Sequence, residues 1–308
     1  MKKKALLSIL LYGALYLMLS HSALVTDGVR YGLLLWYNSV VPTLFPFMVL
    51  SGMIVSFGCV QVCMEPVYRI LHPFLPISKY GCYVLISGLL CGYPMGAKTC
   101  ADFVRNEKIS PDEGKFLMCI CNHPSPMFLL GFAYPICASN VSAREFLLCI
   151  YSPILILSLF AKKQYLKNTM NGFDHDFKHI SSTCGLDETI LSSITILCKI
   201  GGYLVLFSIM IVLLKQYTWL PKEVRLYLIG TLEMTTGIRE LAASLPSDLA
   251  FVCSVFSLCF GGWSGIFQTK AVISETEKKA GLSIRPYIFW KLLHAAIAAG
   301  IAVLICNY

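Results

Sequence analysis

Charge is what this chain has least of. Asp, Glu, Lys and Arg make up 14% of its 308 residues, while 56% are hydrophobic. Soluble domains carry about 25% charged residues. The mean hydropathy of +0.69 therefore excludes a soluble globular domain and identifies an all-α polytopic membrane protein. No polar block is long enough to fold separately; the longest runs over about 162–188. There is no Walker A loop, no GxSxG, no HExxH and no CxxC. Without these signatures no catalytic residue, no metal and no cofactor is expected, and the chain is not read as an enzyme.

Acids are scarcer than bases, 17 against 25, giving a net charge of +8. The positive residues are scattered between apolar runs, where they set topology, so nucleic acid is not an expected partner. A weaker implication is that the protein handles something anionic. Fourteen cysteines suggest chemistry by number alone, but most lie inside apolar runs (Cys82, Cys91, Cys149, Cys198, Cys253, Cys259, Cys306) and serve there as small apolar side chains. Cys119 and Cys121 are two apart, on different faces of a helix. No disulfide framework or zinc site is expected.

Apolar segments fall near 5–20, 42–59, 80–97, 116–138, 143–161, 191–214, 246–262 and 286–306. The opening MKKKALLSILLYGALYLMLSHSAL has signal-peptide features but reads better as a retained first helix over 1–22, with Lys2 to Lys4 holding the N-terminus in the cytoplasm. Two stretches, 61–78 and 221–244, are too amphipathic to span and too apolar for solvent, as re-entrant or interfacial segments are. Their order relative to the short runs predicts one integral domain, 1–308, made of two inverted repeats: 40–160 and 188–306, joined by a polar loop over 161–187. Each repeat is expected to hold an amphipathic, re-entrant hairpin and a broken transmembrane helix. Matching Glu65 with Glu233 and Gly92 with Gly261 gives an offset of roughly 168 residues. If 116–138 dips in and turns back, Lys162, Lys163, Lys167 and Lys178 become cytoplasmic, as do Lys270, Lys278, Lys279 and Arg285, and the two halves are inverted. The 98–115 loop then lies outside, where its four bases face four acids.

The candidate site lies where helices break. CGYPMG (Gly92, Tyr93, Pro94, Gly96) and FGGWSG (Gly261, Gly262, Ser264, Gly265) each follow about twelve apolar residues. A broken helix in lipid leaves unpaired N–H and C=O groups, which are costly unless a ligand or neighbour satisfies them. Paired breaks in two halves point to a transporter's solute site. Gly92/Gly96 and Gly261/Gly265 are equally GxxxG faces for helix packing, so both roles stay open. CNHPSPMF brings Asn122, His123 and Ser125 into an apolar segment. His123 is either a proton carrier or a hydrogen-bonded loop histidine. In LEMTTG, Glu233 binds a proton or cation or else caps the next turn, with Thr236 and Gly237 beside it. Gln268 is placed to reach back into the second break. His175 and His179 have HxxxH spacing in a polar loop and read as solvated, and His294 reads as an interhelical hydrogen-bonding residue.

SGLLCGYPMGAK, CICNHPSPMF, GTLEMTTGI, FGGWSGIFQ and RPYIFWKLLHAAIA, in that order, resemble the YlbJ-type sporulation integral membrane proteins, grouped with the "nucleoside recognition" or Gate-domain membrane proteins. The resemblance covers about 40–305 and implies a multi-pass cell-membrane protein of an endospore-forming bacterium. It further implies a role in spore formation, with movement of a small anionic metabolite such as dipicolinate across a developing-spore membrane. The expected partners are the lipid bilayer, a small solute and further copies of the chain as a homo-oligomer. The rival expectation is a non-transporting scaffold or assembly factor.

Overall fold

The computed structural model describes residues 2–138, 140–166, 185–216, 219–273, 277, 278 and 280–307. His175, His179, Lys167, Lys178 and Lys279 lie outside them. Among the described residues the secondary structure is entirely helical. Five helical stretches are long and apolar enough to cross a membrane: Ser22–Ser56, Ala143–Tyr165, Leu186–Gln216, Ser247–Val272 and Ile284–Cys306. The chain is a multi-pass membrane protein.

After α1 (Lys2–Ser20), a 35-residue helix runs through α2 (Ser22–Leu35), a π turn (Trp36–Val40) and α3 (Val41–Ser56). The 22–35 stretch was absent from the expected spans because Asp27 and Arg30 dilute its hydropathy. The π turn has a covalent cause. Pro42 has no N–H to offer the carbonyl of Asn38, four residues back, so the helix widens there. Pro135 stands in the same relation to a second π turn, Leu129–Ala133. Against α2 lies α12 (Leu186–Gln216). A Cβ at Gly28 or Gly32 would sit 2.9 or 2.7 Å from the Cα of Ile209 or Val205. This GxxxG pair packs two helices backbone to backbone.

The 61–78 stretch does not form a re-entrant hairpin. It forms two short helices, α4 (Val60–Cys63) and α5 (Glu65–Leu71), with Glu65 bonded to Arg69 at 2.9 Å and Lys79 at 2.6 Å. The expected broken helix at 80–97 is instead two helices, α6 (Lys79–Cys91) and α7 (Met95–Arg105), folded back on each other. Gly88 meets Gly96 near the tip, and the rings of Tyr80 and Tyr83 pack against Phe103 near the base, as antiparallel packing requires. α8 (Pro111–Ile120) follows, started by the Ser110 cap on Glu113 N–H and by Pro111. A non-helical stretch, Cys121–Ser125, leads into α9 (Pro126–Phe128), the second π turn and α10 (Tyr134–Cys137). α8 packs on α11 (Ala143–Tyr165), whereas α10 packs on α14 (Met234–Ser244) and α15 (Ser247–Phe260). The two parts of 116–138 therefore do not pair along their length as a dip-and-return segment would.

A similar order of helices follows in the second half. α13 (Lys222–Leu232) and α14 fold back on each other across Glu233 alone, and α15 breaks at Gly261 before α16 (Gly262–Val272). α17 (Ile284–Cys306) closes the chain. α11 and α17 are each 23 residues long and begin 141 residues apart, at 143 and 284. α7 and α14 are each 11 residues long and begin 139 apart, at 95 and 234. These intervals pair CGYPMG with LEMTTG and CNHPS with FGG. The roughly 168-residue pairing, which tied Glu65 to Glu233, does not fit them. The main apolar core lies among α6, α7, α8, α11, α15 and α17.

Candidate functional site

Each half brings a helix–helix turn and a helix break to the same place. In the first, the Cys121–Ser125 stretch crosses the α6–α7 tip so closely that a Cβ on Gly88 or Gly96 would collide with the Cys121 carbonyl. In the second, a Cβ on Gly262 would lie 3.1 Å from the Leu232 carbonyl and 3.2 Å from the Cα of Glu233 at the α13–α14 tip. Gly92 (φ 78°) and Gly261 (φ 80°) adopt left-handed backbone that other residues resist.

Between these parts lies a cavity of about 290 Å³. The residues lining it include Gly92, Tyr93, Ser125, Glu233, Thr235, Gly261, Ser264, Gly265 and Gln268. The π turn after α2 adds Asn38 and Ser39, and Thr43 lies just beyond. Met127, Phe128, Phe132 and Met234 supply apolar wall. Of the residues singled out in the sequence, Pro94, Gly96, Asn122, His123, Thr236, Gly237 and Gly262 do not line it. Gly96 and Gly237 are packing glycines, the latter with a Cβ position only 2.6 Å from the Cα of Gly230.

The carbonyls exposed by the breaks are satisfied from distant parts of the chain. Tyr93 donates from its hydroxyl to Cys259 O at 3.1 Å, tying the first half's tip to the second half's break. Tyr151 donates to Pro124 O at 2.8 Å. The ammonium of Lys291 donates to Asn122 O at 3.0 Å. Lys291 is 2% exposed and forms no ion pair among the described residues. It also lies 3.4 Å from His294 Nδ1 and 4.8 Å from the centre of the Tyr93 ring. Asn122 donates to Thr269 Oγ1 at 3.0 Å and Tyr287 Oη at 2.6 Å. Its Oδ1 and His123 Nδ1 are buried without a hydrogen-bond partner among the described residues.

Glu233 makes the cap contacts that were one of its two expected roles. Its backbone is extended, and its carboxylate accepts from Thr235 N at 2.9 Å, Thr236 N at 2.8 Å and the Thr235 hydroxyl. It caps α14. Gln268 donates to Ser264 Oγ at 3.0 Å from within the cavity wall. His294 makes the interhelical bond expected of it, to Ile150 O at 2.8 Å. Sequence reasoning passed over Lys291 and Asn38. A lone lysine among apolar residues in FWKLLH was a signal for the first. Asn-Ser ahead of Pro42 was one for the second.

Over 329 aligned residues, spanning 93% of this chain and 79% of the relative, the sequence is 27% identical to the sporulation integral membrane protein YlbJ of Bacillus subtilis (strain 168). The chain is thus similar to a sporulation integral membrane protein along nearly its whole length. No family model and no solved structure matches it.

Proposed function

We propose that this chain is a membrane carrier for a small anionic solute, dipicolinate-like in size and charge, working in spore development and not as an enzyme. The carrying observation is the meeting of two turns and two breaks, one of each from either half, around one cavity. Its volume of about 290 Å³ is at the lower end for small-molecule sites. The N-terminal end of α16 reaches the cavity wall at Gly261, Ser264 and Gly265 without a side-chain cap, and its positive dipole end favours an anion.

On this reading the two halves are repeats of about 140 residues in opposite orientation. α6–α7 and α13–α14 are re-entrant hairpins, and α8 to α10 and α15–α16 are broken crossings. Reciprocal packing supports the exchange: α7 lies on α16, and α14 lies on α10. The scaffold reading is favoured at Gly96 and Gly237, which pack backbone on backbone. It is not favoured at Gly265, where a Cβ would meet nothing within 4 Å. The test is uptake into proteoliposomes of purified chain, with labelled dipicolinate and nucleosides as the panel. Saturable uptake of the dicarboxylate is expected. Folded protein that moves no member of the panel refutes the proposal.

A further inference from the structure

We infer that the Lys291 ammonium occupies a built-in monovalent cation site, so that the chain needs no inorganic cation to hold its first break closed. The Asn122 carbonyl lies just beyond the C-terminal end of α8, where a helix presents partial negative charge. Freed carbonyls at such ends are the groups with which broken-helix transporters hold a coupling cation. Here the position is filled by a side chain from α17. Its three donors meet three acceptors: Asn122 O at 3.0 Å, His294 Nδ1 at 3.4 Å and the face of the Tyr93 ring at 4.8 Å.

The imidazole is set for this role. Ile150 O can only accept, so His294 Nε2 carries the proton in the 2.8 Å bond between them. Nδ1 is then left with a lone pair facing the ammonium. No carboxylate pairs with Lys291 among the described residues, so these neutral groups hold the charge as they would hold a metal cation. The interval of 141 residues from α11 to α17 sets Ile150 opposite Lys291, so only one half carries the cation. The consequence for transport, independence from sodium, rests on the carrier reading; the site itself does not.

The experiment is thermal unfolding of the purified full chain in NaCl, methylammonium chloride or choline chloride at equal ionic strength. Wild type should have the same midpoint in all three. Lys291→Ala should unfold several degrees lower in choline and recover saturably in methylammonium or sodium, which enter the vacated space. Lys291→Met fills that space without charge and should be low in every salt. A saturable sodium dependence in wild type overturns the inference. So does a folded Lys291→Ala protein indifferent to both small cations, or a Lys291→Met protein as stable as wild type. If Lys291→Ala yields no folded protein in any salt, the wild-type and Lys291→Met arms decide. Failed solute uptake with the expected melting pattern removes the carrier and leaves the cation site.

Discussion

Replacing Gly96 with alanine puts a methyl group against the Cys121 carbonyl and the Cα of Gly88. Neither can rotate away, because both are backbone. The Cys121–Ser125 stretch is held in turn by Lys291 on Asn122 O and Tyr151 on Pro124 O. The α6–α7 pair must move off the break, an overpacking cost of about 1–3 kcal/mol. At Gly265 a Cβ meets nothing within 4 Å, and the residue lies inside α16. Alanine there gains up to about 1 kcal/mol of helix propensity. The second glycines of the two GxxxG pairs should thus differ by about 1–4 kcal/mol in unfolding free energy, measured on detergent-solubilised protein. Gly265→Leu extends the test: it projects into the cavity and should leave folded protein that no longer takes up solute. Equal destabilisation by both alanines would refute the packing argument. Normal uptake by Gly265→Leu would remove the cavity from the solute's path.

Tyr93→Phe leaves Cys259 O without its 3.1 Å donor and should cost about 1–3 kcal/mol, read from the unfolding midpoint. Glu233→Ala uncaps α14 and should cost about 0.5–2 kcal/mol, with faster amide exchange at Thr235 and Thr236. Glu113, in the first turn of α8, accepts from Ser78 N at 2.7 Å and Ser78 Oγ at 2.9 Å; Glu113→Ala leaves both buried donors unpaired and should cost about 1–3 kcal/mol, read from the unfolding midpoint.

Membrane class, most spans and the turn and break motifs were readable because each leaves a local mark: apolar length, or Gly and Pro where helices should continue. Which break pairs with which was not readable. CGYPMG and FGGWSG look alike as strings, yet Tyr80 and Tyr83 against Phe103 make the first a fold-back. Two positive-φ glycines, Gly261 and Gly262, interrupt the second. That distinction resides in contacts twenty residues apart. Likewise nothing local separates Gly96, pressed on a carbonyl, from Gly265, facing a cavity. Glu65 drew attention as the match to Glu233, but its charge is taken up at the surface by Arg69 and Lys79. Lys291 escaped notice because its partners are a carbonyl 169 residues away, a histidine and an aromatic face.

The corrected pairing changes the topology argument, and the change can be measured. With a cytoplasmic N-terminus, α1 exits and the long α2–α3 helix returns. If α6–α7 enters and leaves on one side, the 106–110 loop stays cytoplasmic. The bases Lys98, Arg105, Lys108 and Lys115 then lie on the cytoplasmic side, where positive residues collect. The earlier placement put them outside. A single broken crossing by α8 to α10, then α11 inward and α12 outward, makes three crossings before α13–α14. Lys162 and Lys163 end α11 on the cytoplasmic side, and Lys270 with Arg285 returns there after α16. On the proposed inverted arrangement the two fold-backs then enter from opposite faces. Asn106 and Ser247 mark equivalent turns after them and are exposed, unlike Ser78, which is buried against Glu113. Asn106→Cys and Ser247→Cys, each in a cysteine-depleted background, should react with a membrane-impermeant thiol reagent from opposite sides. In sealed cells only Ser247→Cys should label; Asn106→Cys should label after permeabilisation. Labelling of both in intact cells would mean an even number of crossings between them, and the two halves would be a parallel duplication with no inverted pair at the cavity.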